Sequence, residues 1–111
     1  MIFPRRGEVW WLQGNLASGS EQMNSRPVVI VSNDKNNYYS PNVTVVPFTS
    51  KQKKALPTHV QAKLSNIEGT ILCEQINVAS KSRLISKVDD ASSVLPQIEH
   101  AIKIQCGMEN L

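Results

Sequence analysis

Glu21, Arg26, Thr49 and Ser50 are the side chains of this sequence best suited to chemistry, and they fall at the borders of two apolar runs. The stretch GSEQMNSRPVVIVSNDKNNYYSPNVTVVPFTS sets a carboxylate and an arginine before one run and a hydroxyl pair after the next. If the two runs are strands of one sheet, all four groups reach one edge. Such a set could hold and break a phosphodiester without a metal. An arginine is always protonated and offers a planar fork of donors that suits phosphate oxygens. Hydroxyls at Thr49 and Ser50 can donate to the same phosphate. Glu21 is the one carboxylate near Arg26 in sequence, and is the candidate base or an orienting partner for the guanidinium. Plainer uses of these residues are a salt bridge at Arg26, a turn cap at Thr49 and a solvated loop glutamate at Glu21.

The elements that must position them follow from periodicity. Gly7 to Gln13 is β-rich, with Val9 and Trp11 on one face and Trp10 and Leu12 on the other. Gly14 to Ser25 is a polar loop, and Pro27 to Ser32 is a continuous apolar run, hence a buried strand. The segment NDKNNYYSPN reads as a turn-rich connection. Val43 to Phe48 is the next strand, and its Pro47 predicts a bulge or an unpaired edge. A basic loop, Lys51 to Pro57, precedes strands at His59 to Lys63, Thr70 to Gln75 and Arg83 to Val88. From Val94 the period becomes helical, with Ser92 or Ser93 as cap, Pro96 in the first turn and Gly107 past the end. The pattern predicts one α+β domain over residues 1–111: a small antiparallel β-barrel with a C-terminal helix packed on the sheet.

Composition narrows the partners. The chain has 111 residues, 41% of them apolar, enough for one modest core. No apolar run is long enough to span a bilayer and the N-terminus lacks a signal core, so the expected setting is soluble and cytoplasmic. Net charge is +3. Through Lys54 there are seven Lys and Arg against three Asp and Glu, and five against six thereafter. The positive potential of the first half suits a polyanion. Cys73 and Cys106 lack metal-ligand spacing and are expected as buried, reduced thiols. His59 is expected to be structural, with a place beside the site as the alternative, and His100 structural or exposed. No zinc motif, P-loop or dinucleotide fingerprint is present, and no metal or cofactor is expected.

The strings RRGEVWW, GSEQ, RPVVIVSND, VTVVPFTS, LPTHV and ILCEQI follow one another with compatible spacing. In that order they resemble the MazF/PemK family of toxin endoribonucleases. The likeness runs from Arg6 to about Lys87, with the helix following in its expected place. It implies an SH3-like, CcdB-like barrel, a homodimer, a cognate MazE-like antitoxin that occludes the RNA groove, and sequence-specific cleavage of single-stranded RNA. Metal-independent cleavage of RNA uses the 2′-hydroxyl as internal nucleophile and leaves a cyclic phosphate and a free 5′-hydroxyl. It needs a base, an acid and donors for charge building on phosphorus. Arg26, Thr49 and Glu21 match the family's arginine before proline, its strand-end threonine and its loop glutamate. Some branches carry an acidic residue just after the EQI-like strand, where this chain has Asn77 and Val78, so the base rests on Glu21.

The two loops would wall the RNA groove. Ser20, Gln22 and Asn24 offer hydrogen bonds to base edges or phosphates, with Ser50, Lys54 and Gln75 as further contacts. Lys51, Lys53 and Lys54 would add salt-sensitive attraction. Aromatic residues make up only 5% of the chain; Trp10, Trp11 and Phe48 are expected in the core, and Tyr38 and Tyr39 are the stacking candidates. A different class of function on the same fold, a CcdB-like inhibitor that binds DNA gyrase, is the alternative, and it has no need of a phosphate clamp.

Overall fold

β3 (Asn42–Thr49) is the strand around which the chain is organised. The computed structural model describes residues 3–14 and 25–110. In it β3 pairs on one side with β2 (Arg26–Ile30). On the other side its first half pairs with β6 (Asn77–Ser80) and its end with β5 (Ile67–Leu72). The unpaired stretch expected at Pro47 is the interval between these two ladders, where a residue without an N–H is tolerated. With β1 (Glu8–Leu12), β4 (His59–Leu64) and β7 (Leu84–Asp90), the sheet has the order β4-β5-β3-β2-β1-β7, antiparallel at every pairing, and β6 lies beside β3.

The sheet curls into a half-barrel whose outer strands are tied by a turn. β4 and β5 are joined by Ser65 and Asn66, at φ 52° and 63°, the left-handed pair that matches hairpin twist. From this turn the Ser65 N–H donates to the Asp89 carboxylate and the Ser65 hydroxyl donates to Val88 O at 3.2 Å. Both acceptors belong to β7, so the far ends of the sheet meet through a side chain and a turn rather than a ladder.

Strand alternation sends side chains to two cores, as the pattern of β1 predicts. Val9 joins Val29, Val46, Phe48, Ile71 and Cys73 beneath α2 (Leu95–Gln105), which buries Ile98 and Ala101 against them. Leu12 and half-buried Trp10 join Val28, Ile30, Val43, Val45 and Ala79 on the other face. Each fully buried aliphatic side chain contributes about 1.5–3 kcal/mol.

Several expectations need correction. The connection after β2 is a short helix, α1 (Asp34–Tyr39), capped by the Asn33 side chain accepting from the Asn36 N–H. Its buried residue is polar: Asn37 donates to Ser32 O at 2.8 Å and accepts from the Ser32 hydroxyl. The strand expected at Thr70 to Gln75 begins and ends earlier, and Cys73–Gln75 is a 3-10 turn leading to β6. Neither Ser92 nor Ser93 caps α2. A 3-10 turn, Ser92–Val94, leads into it, and the carbonyls of Ala91 and Ser92 take the N–H groups of Val94 and Leu95. Pro96 does sit in the first turn, and Gly107 ends the helix at φ 75°. Cys73 is buried as expected, and burial, reinforced by Glu74, pushes its thiol up to about 12. Cys106 is exposed, because it falls at the C-cap of α2.

Candidate active site

Antiparallel pairing of β2 and β3 puts the start of one beside the end of the other. Val28 faces Pro47, so two residues further along each strand Arg26 lies opposite Thr49. A groove of about 480 Å³ opens there. Its walls are Ser25, Arg26 and Pro27 from β2, Phe48, Thr49 and Ser50 from β3, and Lys51 and Lys53 from the basic loop. Trp11, Ile67, Leu72 and Gln75 complete it. Three cations and no carboxylate appear among the described residues that line it. Among the described residues Arg26 makes no ion pair.

Thr49 Oγ1 accepts the Lys51 N–H at 3.1 Å. A hydroxyl that accepts one bond keeps its proton to donate elsewhere. The turn-cap use of this residue therefore leaves its hydroxyl proton free. Gly69 backs the same strand end: a Cβ there would lie 2.3 Å from Thr49 O and 2.6 Å from Phe48 Cζ. In the sequence its only mark is a lone glycine inside a strand, the signal of close backbone approach.

Gln75 reaches the groove from the 3-10 turn, which is anchored by its neighbour. The Glu74 carboxylate accepts from the Thr58 hydroxyl at 3.0 Å and meets His59 Nε2 at 3.0 Å. Burial raises the Glu74 carboxyl, but bonds from its own N–H, His59 and Thr58 outweigh it and hold the group below its ordinary range. His59 is thus structural: it is buried beside Glu74 and does not line the groove.

A second, polar groove of about 340 Å³ shares Ser50, Lys51 and Lys53 with the first and continues past Gln61, Glu68 and Thr70. Lys54 lines neither. Ser20, Glu21, Gln22 and Asn24 lie outside the described residues. Tyr38 and Tyr39 are on α1, at the opposite end of β3 from Thr49, and the structure does not bring them to the groove. Trp11 lines it rather than packing inside, being 37% exposed where β1 meets Pro27. Phe48 is core as expected. His100 is exposed and pairs with Glu109. A wider depression between α1 and α2, about 610 Å³, sits at the other end of β2 and β3, with Arg6 and Glu99 paired across it at 2.7 Å.

A curled antiparallel sheet with a C-terminal helix packed on it is a fold shared by a class of small toxins. The chain belongs to the PemK-like, MazF-like toxins of type II toxin-antitoxin systems, whose family profile matches residues 5–106. Among curated relatives it is 38% identical to the Endoribonuclease MazF of Staphylococcus saprophyticus, over 96% of this chain and 94% of that one. The Staphylococcus epidermidis protein of the same name is also 38% identical, over 96% and 93%. Among solved structures, MazF from Deinococcus radiodurans superposes with TM-score 0.81 at 25% identity, covering 97% of this chain and 100% of that one. A mycobacterial endoribonuclease in complex with its cognate antitoxin shares the fold, with TM-score 0.77 at 23% identity over 96% and 97%.

Proposed function

We propose that this toxin is a sequence-specific, metal-independent endoribonuclease acting on single-stranded RNA, messenger RNA included, and arresting translation. One observation carries the reading: Arg26 and Thr49 meet across adjacent strand ends in a groove whose described lining is cationic and free of carboxylates. The 2′-hydroxyl attacks the adjacent phosphorus, its proton passing to the base. The bond from phosphorus to the 5′-oxygen breaks, that oxygen takes a proton from the protonated base or from water to leave as a hydroxyl, and a 2′,3′-cyclic phosphate remains. Arg26 holds the phosphate oxygens and stabilises the charge that builds on them. Thr49 donates its free hydroxyl proton to the same group, and Ser50 stands beside it. Glu21 serves as base or as the partner that orients Arg26. Ser20, Gln22, Asn24 and Gln75 contact the RNA near the cut, and Lys54 adds longer-range attraction with Lys51 and Lys53.

The chain works as one toxin domain, as a homodimer, in the cytoplasm, and a cognate MazE-like antitoxin blocks its groove. Among the described residues no helix is long and apolar enough to cross a membrane. The gyrase-inhibitor reading is not favoured, since the relatives at 38% identity are named endoribonucleases.

The test is a defined set of single-stranded RNAs incubated with the purified protein in EDTA, with mass analysis of the ends. Discrete cuts leaving cyclic or 3′-phosphate and 5′-hydroxyl ends are expected. Intact RNA across a diverse set, or cutting only with added Mg²⁺, would overturn the reading.

A further inference from the structure

Resting on the ribonuclease reading, we propose that the second groove is a nucleobase subsite. In it Gln61 reads a base beside the scissile phosphate, Thr70 positions Gln61, and Glu68 selects for a base with an exocyclic amino group.

The register carries the argument. Thr49 of β3 pairs with Thr70 of β5, and Thr70 pairs with Gln61 of β4. Directly opposed residues share a sheet face. Thr49, Thr70 and Gln61 therefore form one row across three strands, and at about 4.8 Å per strand the row spans about 10 Å from the phosphate site. That is the reach of a neighbouring nucleotide. The two grooves are continuous through Ser50, Lys51 and Lys53, so an RNA strand leaving Thr49 has a path to Gln61.

Gln61 is exposed, yet its amide is held. Its Nε2 lies 3.2 Å from Thr70 Oγ1, which is also 3.4 Å from Oε1. Thr70 itself is 2% exposed, so its hydroxyl is committed to this contact. An amide has two N–H donors and two lone pairs, and one hydroxyl cannot satisfy them all. The remainder are available to the groove, where an amide can donate to one atom of a base edge and accept from another.

Charge along the groove separates backbone from base. Lys51 and Lys53 stand at the end shared with the active site, where a phosphate belongs. Glu68, two residues from Thr70 on β5, lies on the same face at the other end and repels a phosphate. A carboxylate beside an amide accepts N–H donors. Adenine, cytosine and guanine present an exocyclic amino group, whereas uracil offers only its ring N3–H, flanked by two carbonyl oxygens that a carboxylate repels. The subsite therefore discriminates against uracil.

The experiment is cleavage of a random-sequence single-stranded RNA pool in EDTA by the wild type, Gln61→Ala, Gln61→Glu, Glu68→Gln and Thr70→Val, with sequencing of the new ends. The wild type is expected to disfavour uracil about tenfold at one position near the cut, the scale of a good side-chain contact to a base. Gln61→Ala should erase that preference while the preferences at other positions persist. Thr70→Val should weaken it in the same place, and Glu68→Gln should reduce the penalty on uracil. An unchanged profile in Gln61→Ala, or a loss spread evenly over all positions, would overturn the subsite while leaving the ribonuclease standing. Absence of cutting by the wild type would overturn the ribonuclease reading and the subsite with it.

Discussion

Arg26 and Thr49 fall opposite one another two residues beyond the last paired positions of β2 and β3, at the point where the ladder between these strands stops and the groove begins. Neither residue depends on a long loop for its place. One opens a strand and the other closes its neighbour, and each is held by pairing on its other flank, Arg26 with Leu12 of β1 and Thr49 with Thr70 of β5. Arg26→Ala should lower the cleavage rate about 100- to 1000-fold, the usual effect of removing a preorganised donor to developing charge. Thr49→Val should cost less, roughly tenfold, because a neutral donor is lost. Thermal unfolding should be nearly unchanged in both. A wild-type rate in Arg26→Ala would remove the clamp from the mechanism.

Gly69→Ala should impair the enzyme without touching a polar group. Its new methyl would press on Thr49 O and Phe48. Overpacking of this kind costs about 1–3 kcal/mol. Urea denaturation should show that loss, and residual folded protein should cut RNA more slowly because the strand end carrying Thr49 has moved. Full stability with full activity would mean that β5 can retreat freely.

Glu74 gives the fold a dependence on acidity that can be signed in advance. Its carboxyl sits below the ordinary value of 4.5 in the folded state, with burial opposing and three hydrogen bonds prevailing. A depressed carboxyl stabilises the fold above its unfolded pKa, and that contribution fades as pH falls through the folded one. Glu74→Gln should therefore be less stable than the wild type at pH 7, and the two should converge as the pH is taken below the carboxylate range. A gap that stays constant with pH would show that the ionised form is not what Thr58 and His59 hold.

Lys51 and Lys53 should reveal themselves through salt. Each phosphate neutralised on a single strand contributes a slope of about −0.7 in log affinity against log salt. Replacing both with alanine should make the slope shallower by roughly 1.4 and weaken binding most at low salt. If the slope stays put, these side chains do not touch the backbone of the RNA.

Much of this architecture can be read from residues alone, and the misses share a cause. Apolar strands at Val28 and Val45 and the helical stripe through Ile98 announce themselves by burial and period. Arg26, Thr49, Ser50 and Gln75 stand at the ends of such elements, which is why they could be brought together in advance. α1 carries no such signal: its buried residue is Asn37, held by Ser32, and a polar core contact has no hydrophobic period. Trp11 resisted prediction for the opposite reason. Its type belongs in a core, but its partner across the sheet is Pro27 at the groove rim. Gln61 and Thr70 could not be linked at all without the register, because alignment across three strands is a tertiary fact.

The position of β3 between three partners has a consequence for how the molecule opens. Proteins breathe in cooperative units, and strands bonded on one side only are the first to expose their amides. Here β4 and β7 are the outer strands of the order, whereas β3 has β2 on one flank and β5 and β6 on the other. Amide hydrogens along Val43 to Phe48 should exchange only through global unfolding, while those at the margins exchange through smaller fluctuations. The threonine at the groove thus closes the strand expected to exchange slowest, and the outer strands β4 and β7 should open before that strand does.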